Sequence, residues 1–373
     1  MTHYFLTHKL VFHQRRLSAG TVCVWAALAF APAHVACQQT DGLAAAGAAN
    51  PDSMICSRQV AVVDATPRAI VASLDKRGLE YLRRGELDCA IRELDRAIEL
   101  NPESSHLFND RGLVYREKAD TEHAIADFDR ALYLDSSNVD ALTNRGTLYC
   151  SRGDFDQAIA TYNRALGLRA GYATAYNNRG AAFDGRGDFA RALVNYNAAL
   201  RIRPDYSEAH YNRGILYLRT GALDSAAADL DEVIRLEPGF VNAYVNRGIV
   251  FSIRRKYDLA IASYGKAIKL KPGLADAYYN RGIAFYRAGQ RDRAIEDFGA
   301  AIGLKPDFAE AYNNRGSAYA AAGDLDRAIE DFDQALRLRP DYDKAQRNRA
   351  RAFEQKRQRD SVASSTDAAP NHP

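Results

Sequence analysis

A chain of 373 residues has room for two ordinary domains or one extended array, and at 47% hydrophobic and 26% charged it has the composition of a folded, soluble protein. Its formal net charge is +3, matched by Lys9, Arg15 and Arg16 within residues 1–33; the rest balances 47 basic against 47 acidic side chains. That balance lacks the footprint of a nucleic-acid binder, local patches apart.

At the N-terminus a basic stretch ends in Arg15-Arg16, an apolar run follows from Ala19 to Phe30, and Ala31-Pro32-Ala33 closes it. This is the order of a secretory signal. Residues 1–33 are therefore expected to be a signal peptide cut after Ala33, and the protein to be exported, to the periplasm or in association with the outer envelope. Two alternatives stay open. The run could be kept as a signal anchor, although Ser18, Gly20 and Thr21 break it and it is short for a span. Val35-Ala36-Cys37 also has some likeness to a lipoprotein box, which would put a lipid on Cys37. In either case membrane contact comes only through this segment.

Residues 34–66 are Ala- and Gly-rich with no sustained period, and read as a flexible linker. The five cysteines, Cys23, Cys37, Cys56, Cys89 and Cys150, show no C-x-x-C pair and no metal-ligand spacing. Cys89 and Cys150 take apolar helix positions as small buried side chains. In an exported protein Cys37 could oxidise with Cys56.

From residue 71 the chain repeats itself. Arg-Gly recurs at 77–78, 111–112, 145–146, 179–180, 213–214, 247–248, 281–282 and 315–316, a constant step of 34. The units are 71–104, 105–138, 139–172, 173–206, 207–240, 241–274, 275–308 and 309–342, and positions below are counted from 1 to 34 within each. Pairs such as Tyr244 and Phe251 at positions 4 and 11 mark one face of a first helix. A turn such as Gly187-Asp188 follows, then a second helix with Ala at 20, an aromatic or leucine at 24, and Ala at 27 except for Val233. Proline closes most units, because it cannot continue a helix. The glycine at position 8 costs about 1 kcal/mol against alanine in a helix interior. Its expected return is a close approach of the two helices.

These positions resemble the tetratricopeptide repeat family over about residues 71–360. Arg in place of leucine at position 7, and Ser136 and Ala170 in place of proline, depart from its pattern. The resemblance implies an all-α, right-handed α-solenoid whose first helices line a concave groove. Residues 343–360 then read as a capping helix and 361–373 as a disordered tail.

In such a groove, position 6 presents Asn144, Asn178, Asn212, Asn246, Asn280 and Asn314. They are similar to the asparagine ladder in the superhelix of peptide O-GlcNAc transferases, here without a catalytic domain. Amides of this kind can hold an extended peptide backbone, or can bond the neighbouring repeat and set the pitch. Tyr211, Ile215, Ile249, Tyr279, Ile283 and Tyr286, with Arg219 and Arg287 beside them, have the composition of a partner site. The other reading packs the isoleucines between first helices. Position-7 arginines are expected to pair with acids at position 25, namely Asp95, Asp129, Asp231 and Asp333. Arg186-Gly187-Asp188 reads as a turn, since Arg152-Gly153-Asp154 occupies the same repeat positions.

No position-5 lysine with a position-9 asparagine is present, which argues against the family's carboxylate clamp. His106, His123 and His210 stand at unrelated positions, and no catalytic or metal motif appears. The expected function is a non-enzymatic interaction scaffold, without cofactor or nucleic acid, that binds an extended peptide in its groove. The alternative is an envelope adaptor that docks folded subunits through its convex face or ends.

Overall fold

The computed structural model describes residues 66–367. The expected signal peptide, its anchor and lipidation alternatives, and nearly all of the linker lie outside the described residues. What is described is an all-α, right-handed α-solenoid of helix-turn-helix hairpins, with no sheet among the described residues. It falls into two compact units, one ending at Ala170 and the other beginning at Gly171.

The first unit holds α1 (Pro67–Arg83), α2 (Leu87–Leu100), α3 (Ser105–Glu117), α4 (Thr121–Leu134), α5 (Val139–Ser151) and α6 (Phe155–Leu168). The second holds α7 (Ala173–Gly185), α8 (Phe189–Ile202), α9 (Ser207–Thr220), α10 (Leu223–Leu236), α11 (Val241–Ile253), α12 (Tyr257–Leu270), α13 (Ala275–Arg287), α14 (Arg291–Leu304), α15 (Ala309–Ala321), α16 (Leu325–Leu338) and α17 (Asp343–Asp367). Each odd helix from α1 to α15 packs on the even helix after it, and α17 packs on α16. Odd helices also touch: α1 with α3 and α3 with α5 in the first unit, and each odd helix from α7 to α17 with the next in the second. One side of each unit is thus built from first helices alone.

The hairpin is closed by the position-8 glycine, and the partner is the position-24 ring. A Cβ on Gly248 would lie 2.6 Å from Tyr264 Cε1, and one on Gly146 2.7 Å from Tyr162 Cε1. Both tyrosines are buried to 1% exposure or less. The alanines at 20 and 27 line the same contact and are fully buried, as are Ala260 and Ala267. Gly187, at φ +83°, makes the turn between α7 and α8, and Asp188 accepts from Arg191 N at the start of α8. The Arg-Gly-Asp triplet there is a helix-to-helix turn.

The arginines at position 7 lie between second helices. Arg111 Nη1 reaches Asp95 at 2.7 Å, and Arg145, Arg247 and Arg349 reach Asp129, Asp231 and Asp333 in the same way. The expected position-25 acids are the partners. A second partner, at position 23 of the same hairpin, was not read from the sequence. Arg111, Arg213, Arg281 and Arg315 each take Asp127, Asp229, Asp297 or Asp331 through Nε and Nη2. Those aspartates are only 4–5% exposed. A two-pronged bond to a buried carboxylate holds more firmly than an exposed ion pair.

At the C-terminal end α17 buries Ala345 and Ala352 and leaves Phe353 47% exposed, since among the described residues no second helix covers the ring. The helix continues past 360 to Asp367, since the first helix breaker after that point is Pro370. Cys89 is buried and disulfide-bonded, beyond the simple packing role expected of it, while Cys150 is only half-buried.

Candidate binding site along the first helices

Where one first helix stacks on the next, three repeat positions meet. They are position 5 of one repeat and positions 2 and 6 of the following one. The position-6 asparagine donates its Nδ2 back across the gap. Asn144 reaches Asn109 Oδ1 at 2.9 Å, Asn212 reaches Asn177 Oδ1 at 3.1 Å, and Asn348 reaches Asn313 Oδ1 at 2.9 Å. Asn246 donates to Tyr211 OH at 3.0 Å and Asn314 to Tyr279 OH at 2.9 Å. Asn178 is buried and accepts from Asn177 Nδ2.

This corrects the picture of a row of amides facing a ligand. At Asn144, Asn212, Asn246 and Asn314 the donor is engaged by the preceding hairpin, and Asn178, Asn212 and Asn246 are buried. Of the two sequence readings, bonding to the neighbouring repeat is the one these amides follow. The apolar stripe is corrected in the same sense. Tyr211, Ile215, Ile249 and Tyr279 are all 5% exposed or less. Tyr211 meets Phe240 edge-on at 5.0 Å, and Tyr279 lies 4.7 Å from Phe308. The two tyrosines are core rings that offer their hydroxyls to the rungs. Arg219 is ion-paired to Asp184 at 2.7 Å.

Asn280 stands apart. Its position-5 counterpart is Val245, which offers no acceptor. Asn280 is half-buried and has no hydrogen-bond partner among the described residues. On the same stretch of α11 and α13, Val245, Ile283, Tyr286 and Arg287 are half-buried, and Ile253 is 38% exposed. Of the sequence-derived site residues, then, Asn280, Ile283, Tyr286 and Arg287 keep partial exposure on α13, with Ile283 and Tyr286 packed on one side against the core, and Val245 and Ile253 keep partial exposure on α11.

Position 2 supplies the charge. Glu208 accepts from Asn177 Nδ2 and from Tyr206 OH, and burial pushes its carboxyl up to about 7 while these bonds pull it down. At the first stack, α1 on α3, the three positions hold Asp75, His106 and Asp110. His106 Nε2 lies 3.3 Å from Asp75 Oδ2 and 3.2 Å from Asp110 Oδ2. The hydrogen bond with Asp75 pushes the imidazole up to about 9, against burial. Burial raises Asp110 to about 6, against the pull of His106. Sequence reading passed over this cluster, because the histidines were compared with one another. The signal was the set of positions 5, 2 and 6.

Family models described as tetratricopeptide repeat match residues 76–141, 279–343 and 313–360, and a further one matches 207–240. A model described as TPR repeat matches 146–184, 186–221 and 254–289, so that the matches together take in more than half of the chain. They describe repeats and not a catalytic domain. No curated protein matches the chain. Among solved structures, a chain of the APC/C hetero-tetramer Cut9–Hcn1 is similar over 71% of this chain and 52% of its own, at 15% identity and a TM-score of 0.50, a likeness of fold alone. YrrB, described as a TPR protein with an unusual peptide-binding site, is similar at 23% identity over 50% of this chain and 96% of its own, with a TM-score of 0.46. MamA from Desulfovibrio magneticus is similar at 26% identity over 46% of this chain and 97% of its own, with a TM-score of 0.44.

Proposed function

The chain belongs to the tetratricopeptide repeat family, and from that premise we propose that it is a protein-binding scaffold that takes an extended segment of a partner along α11 and α13. The observation that carries this reading is the missing rung at Asn280. A half-buried amide without a partner, beside helices whose position-6 amides donate to the preceding hairpin, can both donate to and accept from a peptide backbone. Val245, Ile253, Ile283 and Tyr286 supply apolar contact around it, and Arg287 a charged edge. A tyrosine and an arginine beside an apolar floor suit a site of high binding energy per residue.

The test begins with a peptide selected against the full chain from a displayed random library. Asn280→Ala is expected to weaken that peptide about tenfold, the worth of one or two backbone hydrogen bonds, and to leave the thermal midpoint in place. Binding that survives both Asn280→Ala and Tyr286→Ala would remove this site from consideration.

Export is part of the same proposal. It is supported by the basic, apolar and small-residue order of residues 1–33, and a disulfide at Cys89 is in keeping with an oxidising compartment. N-terminal sequencing of the mature protein is expected to begin at His34. A chain that begins at Met1 would count against cleavage.

A further inference from the structure

We propose that Asp75, His106 and Asp110 form a site for a divalent transition-metal ion of the zinc class. They come from α1 and α3, both within the first unit.

The cluster stands out against the rungs of the same fold. Elsewhere within the two units, Val245 with Asn280 apart, positions 5 and 6 pair neutral groups, asparagine with asparagine or tyrosine with asparagine. Here two carboxylates take those positions, and neither can donate to the other when ionised. The third corner is an imidazole from position 2. One ligand atom from each of the three lies within 4.8 Å of the others.

The spacing suits a small ion. Zinc binds imidazole nitrogen and carboxylate oxygen at about 2.0–2.1 Å in tetrahedral sites, which sets adjacent ligand atoms about 3.3 Å apart. The two edges that meet at His106 Nε2 are 3.3 Å and 3.2 Å. The burial also points to a ligand. Asp110 is 3% exposed; its Oδ1 accepts from Asn109 Nδ2, but its Oδ2, the atom facing His106, has no hydrogen-bond partner among the described residues. Asp75 Oδ1 is buried without a partner as well. Asp110 Oδ2 is left with only the 3.2 Å charge contact to His106, and Asp75 Oδ1 with no partner, and an ion would complete the site. The His106 side chain is 65% exposed, which leaves a way in and a place for water as the fourth ligand. The imidazole selects against calcium and magnesium, which take oxygen donors. The competing occupant is a proton on His106, bridging the two carboxylates as an ion pair.

The full chain, with any affinity tag removed, is titrated with zinc chloride alone by calorimetry and melted with and without it. Binding near one ion per chain is expected, with a rise in midpoint on the order of 5 °C at saturation. His106→Gln and Asp110→Asn should each abolish the high-affinity heat and the rise. Asp110→Asn should still fold, because it restores the asparagine that the other rungs use. Calcium chloride at the same concentration should give neither signal. No zinc-dependent heat or midpoint shift in the parent chain would overturn the proposal, and so would a response that persists in both variants.

Discussion

The stack of α3 on α1 and the stack of α13 on α11 fill the same three repeat positions in opposite ways. The first carries Asp75, His106 and Asp110, more charge than a rung can satisfy. The second carries Val245, Asp276 and Asn280, one acceptor too few. Between these extremes the ordinary rungs, such as Tyr211 with Asn246, are closed and buried. The lesson is that in a repeat fold the sites are the departures from the stacking rule, and the rule has to be known before a departure is visible.

The comparison supposes hairpins that are equally rigid, and the largest expected effect tests that. Gly248→Ala should destabilise by about 3 kcal/mol, because the new methyl would meet the Tyr264 ring. Gly214→Ala should cost far less, since Leu230 replaces the ring and the nearest atom to an added Cβ is 3.2 Å away. Denaturant unfolding of the two variants decides it.

Next comes the rung itself. Asn246→Ala leaves the buried Tyr211 hydroxyl without its amide partner and should cost about 2 kcal/mol. Asn280→Ala breaks no such bond and should shift the unfolding midpoint little. Equal losses would erase the distinction between the two stacks. Val245→Asn attacks the same distinction from the other side. By giving Asn280 a partner it should add about 1 kcal/mol of stability and weaken the selected peptide. A variant that bound the peptide as before would show that the amide is not what holds it.

The smallest effect belongs to the charged stack without metal. His106 is raised from 6.5 to about 9, so the stability its proton brings is complete below 6.5 and is lost as pH rises through 9. Asp110 is raised from 3.8 to about 6, so its charged form opposes folding above 6 and the penalty fades as pH falls towards 3.8. Between pH 6 and 9 the fall in stability therefore comes from His106, while the change from Asp110 is already complete by pH 6. Because His106 is largely exposed, the change should stay under about 1 kcal/mol. Melting curves of the parent and of His106→Gln across that range, with a chelator present, are expected to show the slope only in the parent.

Much of the fold was legible because the same pattern is written many times over. Glycine at 8, alanine at 20 and an aromatic or leucine at 24 could be read as one close contact, and the arginines as partners of position 25. What could not be read was where a side chain points once a neighbour has been stacked beside it. Helical periodicity puts Tyr211, Ile215 and Asn246 on an open face, and so they are within one helix; the adjacent first helix then covers them. The rung was hidden for a related reason. Its acceptor lies 35 residues back and changes between asparagine and tyrosine, so no single column of the repeat displays it. The position-23 partners were concealed by the same variety, as Arg179 meets Asn195 there and Arg247 meets Ser263.

Nearest-neighbour coupling determines how a solenoid comes apart. The absent bond between Val245 and Asn280 removes a tie that the Tyr211–Asn246 stack keeps, so α13 should part from α11 more readily than α11 from α9. Amide exchange would then show a step in protection between α11 and α13, a seam at which the chain loosens in blocks.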